Sequence, residues 1–197
     1  MRVRKARTGD AEAFANVLAR VAEEGLIATE PPVDVEDRAA KARETIEAEG
    51  TDVLWVLEEG DAVIGAVGVH ATRARGVLSL GMMLLPEFRA RGGGRALLAA
   101  ALEHARNSGA HKVELEVWPD NARAIGLYAS AGFAVEGVRR SHYRRRDGKL
   151  RSSLLMALLL PRPRAESGRS MAEALVIVDV QSDFTAGGAL EVPGGDG

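Results

Sequence analysis

The sequence predicts an α/β fold, a β-sheet flanked by helices, followed by a short C-terminal tail fragment. Three observations predict it. Val- and Ile-rich strand-like stretches alternate with stretches of helical apolar spacing over the first 160 residues. A run of three glycines, Gly92-Gly93-Gly94, stands between one such strand and one such helix. The chain is 46% apolar and 27% charged over 197 residues, the balance of a globular protein able to bury a core.

Each element follows in order. Residues 3–6 read as a short strand. Thr8-Gly9-Asp10 offers a helix start, with Phe14, Leu18 and Val21 on one face, and Glu30-Pro31-Pro32 breaks that helix. Residues 34–48 form a second, charged helix closed by Gly50. Residues 52–57 and 62–71 make strands joined through Glu58-Glu59-Gly60-Asp61, a hairpin signature. A strand over 76–85 ends at Pro86. A helix over 93–107, a strand over 112–117 and a helix over 121–131 follow. Residues 133–143 and 150–160 then pair as a hairpin around Asp147-Gly148. The domain therefore spans 1–160. Residues 161–170 lack an apolar period and read as a linker. Met171 opens a new apolar strand, 174–180, in a fragment that runs to residue 197.

Charge and composition exclude several functions. Lys plus Arg is 26 against 28 Asp plus Glu, a net charge of -2, so no global basic field draws nucleic acid or an anionic membrane. Cys is absent, which removes disulfides, thiolate zinc sites and thiol nucleophiles. The histidines His70, His104, His111 and His142 are scattered without an HExxH spacing, so no metal is expected. No apolar run approaches the roughly 20 residues of a membrane span, and no apolar stretch follows the charged N-terminus. A cytoplasmic protein is expected.

The glycine loop is the most informative segment. Glycines at a helix start let backbone N–H groups face an anion, and the helix dipole favours the negative charge. Arg89, Arg91 and Arg95 add positive charge. A phosphate or pyrophosphate cradle fits. A Rossmann fingerprint would need glycine where Leu97 stands, and a Walker A loop would not read Gly94-Arg95-Ala96.

The pattern Arg89-x-x-Gly92-x-Gly94, after a strand ending Leu84-x-Pro86, resembles motif A of the GNAT acetyltransferase superfamily. The stretch from Asn121 to Phe133, Asn-Ala-Arg-Ala-Ile-Gly-Leu-Tyr-Ala-Ser-Ala-Gly-Phe, resembles its motif B. The likeness covers about residues 1–160. It implies the GNAT fold, a mixed and centrally splayed sheet, with acetyl-CoA as co-substrate in a wedge between parallel strands over 81–85 and 112–117. Backbone groups near Met82, Met83 and Leu84 would pair with the pantetheine arm like an added strand. The pyrophosphate would rest on the loop of Arg89, Ala90, Arg91, Gly92, Gly93, Gly94 and Arg95.

Acetyl transfer to an amine requires a proton acceptor for the amine, stabilisation of the oxyanion and a proton for the departing thiolate. Tyr128 lies seven residues after Asn121, two helical turns on, so both share a face. By resemblance Tyr128 is the general acid and Asn121 contacts the pantetheine arm, while Asn121 also suits a helix N-cap. In Lys112-Val-Glu-Leu-Glu-Val-Trp118, Glu114, Glu116 and Trp118 share one strand face. A carboxylate against apolar wall residues is desolvated and accepts protons more readily. The stretch 115–121 and the segment Arg139-Arg-Ser-His-Tyr143 resemble the ribosomal-protein-alanine acetyltransferases, whose proposed base matches Glu116; Glu114 is second. The expected partner is an amine, a protein N-terminus first and a small molecule next, with a homodimer left open and a non-catalytic acyl-CoA-binding module as the alternative.

Two segments stay outside this scheme. The cluster Arg139, Arg140, Arg144, Arg145 and Arg146 reads first as a solvated hairpin, otherwise as an attractor of acidic peptide or phosphate. By resemblance, acceptor specificity resides in residues 25–34. Residues 171–197 resemble the opening of a nicotinamidase, with Asp179 or Asp183 matching its catalytic aspartate. The lysine, metal ligands and cysteine of that enzyme are missing, so the tail is expected to be a remnant without hydrolase activity, joined at Met171.

Overall fold

The structure, a computed structural model, describes residues 1–161. Its elements are β1 (Arg2–Lys5), α1 (Ala11–Ala22), α2 (Val35–Glu47), β2 (Val53–Glu59), β3 (Ala62–Ala71), β4 (Val77–Leu84), α3 (Gly93–Asn107), β5 (Lys112–Val117), α4 (Ala122–Ser130), β6 (Ala134–Arg144) and β7 (Leu150–Leu159). The α/β alternation read from the sequence is present throughout. Most of the linker, and all of the nicotinamidase-like segment 171–197, lie outside the described residues.

Seven strands form one sheet in the order β1-β2-β3-β4-β5-β7-β6. Every neighbouring pair is antiparallel except β4 and β5. That parallel pair is joined only from Val77 to Ser79 against Lys112 to Glu114. Beyond it the two strands part, β4 running on to Leu84 and β5 to Val117. The sheet is thus mixed and splayed at its centre. The opening is shorter than the sequence implied: Lys112, Val113 and Glu114 lie in the closed part, and only Leu115 to Val117 face the wedge.

The helices cover both faces. Leu54 and Leu57 of β2 are three residues apart and so point to opposite sides. Leu57 meets the start of α3, whereas Leu54 lies under α1 and α2. β3 is consequently buried on both faces, and Ile64, Ala66, Val67 and Val69 are each at most 1% exposed. In α3 the buried residues Leu97, Leu98, Ala101, Leu102 and Ala105 recur at helical spacing. Each leucine so buried contributes about 1.5–3 kcal/mol.

Local chemistry sets the boundaries. Helix α1 ends at Ala22, eight residues before Glu30, so the prolines do not stop it. Gly25 does, at φ +66°, with its N–H bonded to the Ala22 carbonyl at 2.9 Å. Thr8–Asp10 is a separate 3-10 turn. The Asp10 carboxylate there receives the Arg7 N–H and a two-pronged Arg4 guanidinium, and Arg4 also reaches Glu58. The Arg4 bonds hold the Asp10 carboxyl below its ordinary range. Asp34 caps α2 by accepting the Asp37 N–H at 2.9 Å.

Candidate active site

Parting β4 from β5 leaves backbone groups without a sheet partner. The Leu85 N–H bonds Ile64 of β3, and peptide groups along a strand alternate edges, so Met82 and Leu84 present theirs to the wedge. The Leu84 carbonyl is taken by Arg89 Nε at 2.9 Å. Met82 keeps both its N–H and its carbonyl for an incoming extended group. Met83 pairs with Ala66 on the other edge, so its side chain, not its backbone, serves the site.

The wedge opens onto the glycine loop. A cavity of about 920 Å³ runs from Met82, Met83 and Leu84 past Arg89, Ala90, Gly92, Gly94 and Arg95 to Asn121 and Tyr128. Ala90 at φ +61° and Gly92 at φ +86° turn the chain sharply into α3. The first intrahelical bond runs from the Ala96 N–H to the Gly92 carbonyl, so the N–H groups of Gly93, Gly94 and Arg95 have no partner within the helix. The three glycines differ in role. A Cβ on Gly93 would stand 2.5 Å from Leu57 Cδ2, so Gly93 seats the helix on the sheet. Gly94 borders the cavity, where a Cβ would come within 3.3 Å of Leu127.

The arginines also divide. Arg95 lines the cavity. Arg89 is held by both oxygens of Glu24 at 2.6 and 2.5 Å. Arg91, expected to serve the cradle, instead pairs with Glu59 and lies over the Phe88 ring, outside the cavity wall. Its neighbour across the loop is a carboxylate on β2, and ion pairing turns it away. Sequence reasoning passed over Arg123 and Glu24, which also line the space. Arg123 falls two residues after Asn121, a position with no signature of its own.

Asn121 and Tyr128 come together as the spacing implied. The Asn121 side chain accepts the Ala124 N–H at 3.2 Å, capping α4, and borders the cavity. Tyr128 is 6% exposed, with its ring 5.8 Å from that of Phe133. Burial pushes its hydroxyl up to about 12. It is therefore protonated at neutral pH, as a proton donor must be and a base must not.

The two glutamates separate. Glu114 lies in the closed part of the sheet opposite Ser79, 3.9 Å from Lys112. Glu116 flanks the open part but does not stand against an apolar wall. It accepts hydrogen bonds from Tyr143 at 2.8 Å and Ser153 at 2.7 Å, and pairs with Arg139 at 2.7 Å. Strand β7 runs antiparallel to β5 and delivers Ser153 beside it, and β6 brings Arg139 and Tyr143. Glu116 is outside the cavity lining. Burial, followed by the bond to Glu116, raises the Tyr143 hydroxyl.

Of the arginine cluster, Arg139, Arg140, Arg144 and Arg146 are exposed and Arg145 is half-buried, and two of the five, with Arg151, reach back to the segment after α1. Arg151 donates to the Gly25 carbonyl and to Asp120, Arg145 to Ala28, and Arg146 to Pro31. Trp118 sits beneath, 3% exposed, with Arg151 4.7 Å above its ring and Tyr143 edge-on at 5.1 Å. Segment 25–31 is thus bolted to the hairpin and, through Asp120, to the start of α4. Among the described residues no group of three metal-ligating side chains occurs.

Comparison with known proteins agrees with this geometry. Residues 21–133 match the model of the acetyltransferase (GNAT) family. The [ribosomal protein bS18]-alanine N-acetyltransferase of Escherichia coli is 38% identical over 73 residues, 37% of this chain and 49% of that one. The chain spans about half the length of such curated relatives. A ribosomal-protein-alanine N-acetyltransferase from Brucella melitensis superposes with TM-score 0.73 at 25% identity, covering 81% of this chain and all of that one. A phosphinothricin acetyltransferase from Sinorhizobium meliloti, solved in complex with acetyl-CoA, shares the fold at TM-score 0.70 and 22% identity, over 81% and 88% of the two chains.

Proposed function

The chain belongs to the acetyltransferase (GNAT) family, and from that membership we propose that it moves an acetyl group from acetyl-CoA directly to a primary amine, with a protein N-terminal amine as the favoured acceptor. The observation that carries the reading is the central parting of β4 and β5 onto a glycine-started helix, with Tyr128 in the same cavity.

The residues present fit the co-substrate. The free peptide groups of Met82 offer an extended arm one donor and one acceptor. The partnerless N–H groups of Gly93, Gly94 and Arg95, with the Arg95 and Arg123 side chains, suit a diphosphate. Acetyl-CoA supplies, when bound, an acyl group activated as a thioester. Tyr128 holds the proton that the sulfur needs on leaving. Asn121 fixes the turn that aims α4, and with it Tyr128, at the wedge. Glu116 is the proposed proton acceptor, and a proton from the cavity reaches it through water, since it flanks the wedge without lining the cavity.

The preference for a peptide acceptor rests on the likeness to alanine N-acetyltransferases at modest identity. A small-molecule amine is the second reading, favoured by the arginine ties that hold segment 25–31 down over the site. Thiol release from acetyl-CoA with free and N-terminally blocked peptides and with small amines tests both. Release is expected with free amines only. Acetyl-CoA binding without release for any amine would leave a non-catalytic acyl-CoA-binding module.

A further inference from the structure

A second chamber lies on the other side of β4. It holds about 320 Å³ between the sheet and the two N-terminal helices, and shares Ile27, Met82 and Met83 with the larger cavity. Its floor is bare. Gly68 of β3 and Gly81 of β4 are direct cross-strand partners, about 4.5–5.5 Å apart at Cα. A Cβ on Gly81 would meet nothing within 4 Å. Gly81 is also among the first residues of β4 beyond the closed part of the wedge.

The wall facing this floor is apolar on the α1 side, with Phe14 and Leu18, and polar along α2. Arg38, Lys41, Ala42 and Thr45 of α2, at i, i+3, i+4 and i+7, all border the chamber. Lys41 is paired with Asp37 at 2.7 Å. Arg38 is half-buried and has no carboxylate partner among the described residues.

At the far end stands a dyad. His70 Nδ1 lies 3.2 Å from Asp52, which also accepts the Ala71 N–H at 2.8 Å. That N–H above all, then His70, holds the Asp52 carboxyl below its ordinary range, so it is ionised at neutral pH and calls for the proton on Nδ1. The Nε2 edge of His70 points at Gly68, 2.9 Å from where a Cβ would stand, so the absent side chain is what lets the ring close this end of the chamber.

Resting on the acetyltransferase reading above, we infer that this chamber receives the acceptor, and that it selects a primary amine carrying a carboxylate, with the amine beside Met82 and Met83, the body over Gly81, and the carboxylate on Arg38. The His70 ring closes the end of the chamber away from Met82, so an occupant changes its surroundings. Ser79, opposite His70, is three residues from Met82, so the floor runs about 10 Å, room for the body of a six-carbon chain. An acidic side chain near a peptide N-terminus and a free ω-amino acid share that chemistry.

Two matched pairs distinguish the sources: peptides beginning Ala-Glu against Ala-Gln, and 6-aminohexanoate against hexylamine. The acid of at least one pair should exceed its neutral partner in kcat/KM by about tenfold or more, the strength of a charge-assisted hydrogen bond. Arg38→Gln should reduce that ratio to within about threefold. A second measurement needs no turnover. Hexanoate should shift the His70 ring resonances of the parent, with at least about tenfold weaker binding in Arg38→Gln. No preference in either pair, or hexanoate that leaves His70 unmoved or binds both proteins alike, overturns the assignment. Hexanoate binding as expected while no amine is acetylated leaves the carboxylate site standing and removes the acetyltransferase reading instead.

Discussion

The wedge and the arginine-bolted segment border the same cavity, yet they are built from different materials. The wedge is backbone: parted strands, positive-φ turns, helix N–H groups and glycines whose missing side chains leave room. The bolted segment is side chain: Arg145, Arg146 and Arg151 reach carbonyls 117, 115 and 126 residues away in sequence. A backbone-built site binds whatever shares a common shape, whereas a side-chain-built one changes with each substitution. The first suits the co-substrate and the second the acceptor.

The largest expected effect tests whether the wedge does chemistry at all. Tyr128→Phe should lower turnover by about 10²–10⁴ while acetyl-CoA affinity changes little. A proton donor is lost as pH rises through its own pKa. With Tyr128 at about 12, the parent should show no alkaline fall in rate near pH 10. Full activity in Tyr128→Phe would remove the assignment. Gly94→Asp should weaken acetyl-CoA binding by about tenfold to hundredfold in calorimetry, because its side chain crowds Leu127 and sets a carboxylate beside the cradle. Unchanged affinity would mean that the loop is not where the diphosphate rests.

Glu116→Gln should slow turnover at neutral pH by about tenfold or more and recover in part at high pH, where the amine is already neutral. A pH profile like the parent's would leave Glu116 a structural partner of Tyr143 and Ser153. Arg151→Ala should raise the acceptor KM by about tenfold and leave acetyl-CoA affinity nearer the parent's, since it releases Gly25 and Asp120 without touching the glycine loop. Equal losses on both substrates would collapse the distinction between the two regions. Smallest of all, Arg91→Ala should change acetyl-CoA affinity by no more than about twofold, its charge being spent on an exposed pair with Glu59.

What could be read in advance follows the same division. Gly92, Gly94, Asn121 and Tyr128 meet in one cavity because each is placed by a period or a turn over a few residues. The sheet alternation and the hairpin around Gly148 were legible for the same reason. Arg91 misled because its partner Glu59 lies 32 residues back, on a strand whose neighbour in space no local pattern identifies. Glu116 looked like a carboxylate on an apolar wall because β5 alternates cleanly, but β6 and β7 supply the three donors around it. The ties of Arg145 and Arg146 to the segment after α1 have no sequence signature, because the carbonyls they hold are anonymous in any sequence.

The outer border of the sheet has a consequence for how copies of this chain meet. Strand β6 is the last of the seven, eleven residues long, with Val135 and Val138 exposed. A long exposed edge strand invites a neighbouring molecule to extend the sheet. Here the rim is broken twice, between Val135 and Gly137 and between Arg139 and Tyr143, with Ser141 at φ +50° inside the second break. Arg139, Arg140 and Arg144 crowd cations around that break. A second copy docking strand to strand would find no straight run of pairing groups longer than a few residues, and across the second break would bring like charges together. The irregularity that carries Arg139 and Tyr143 to Glu116 thereby also guards the protein, at the high concentrations of a crowded solution, against growing edge to edge.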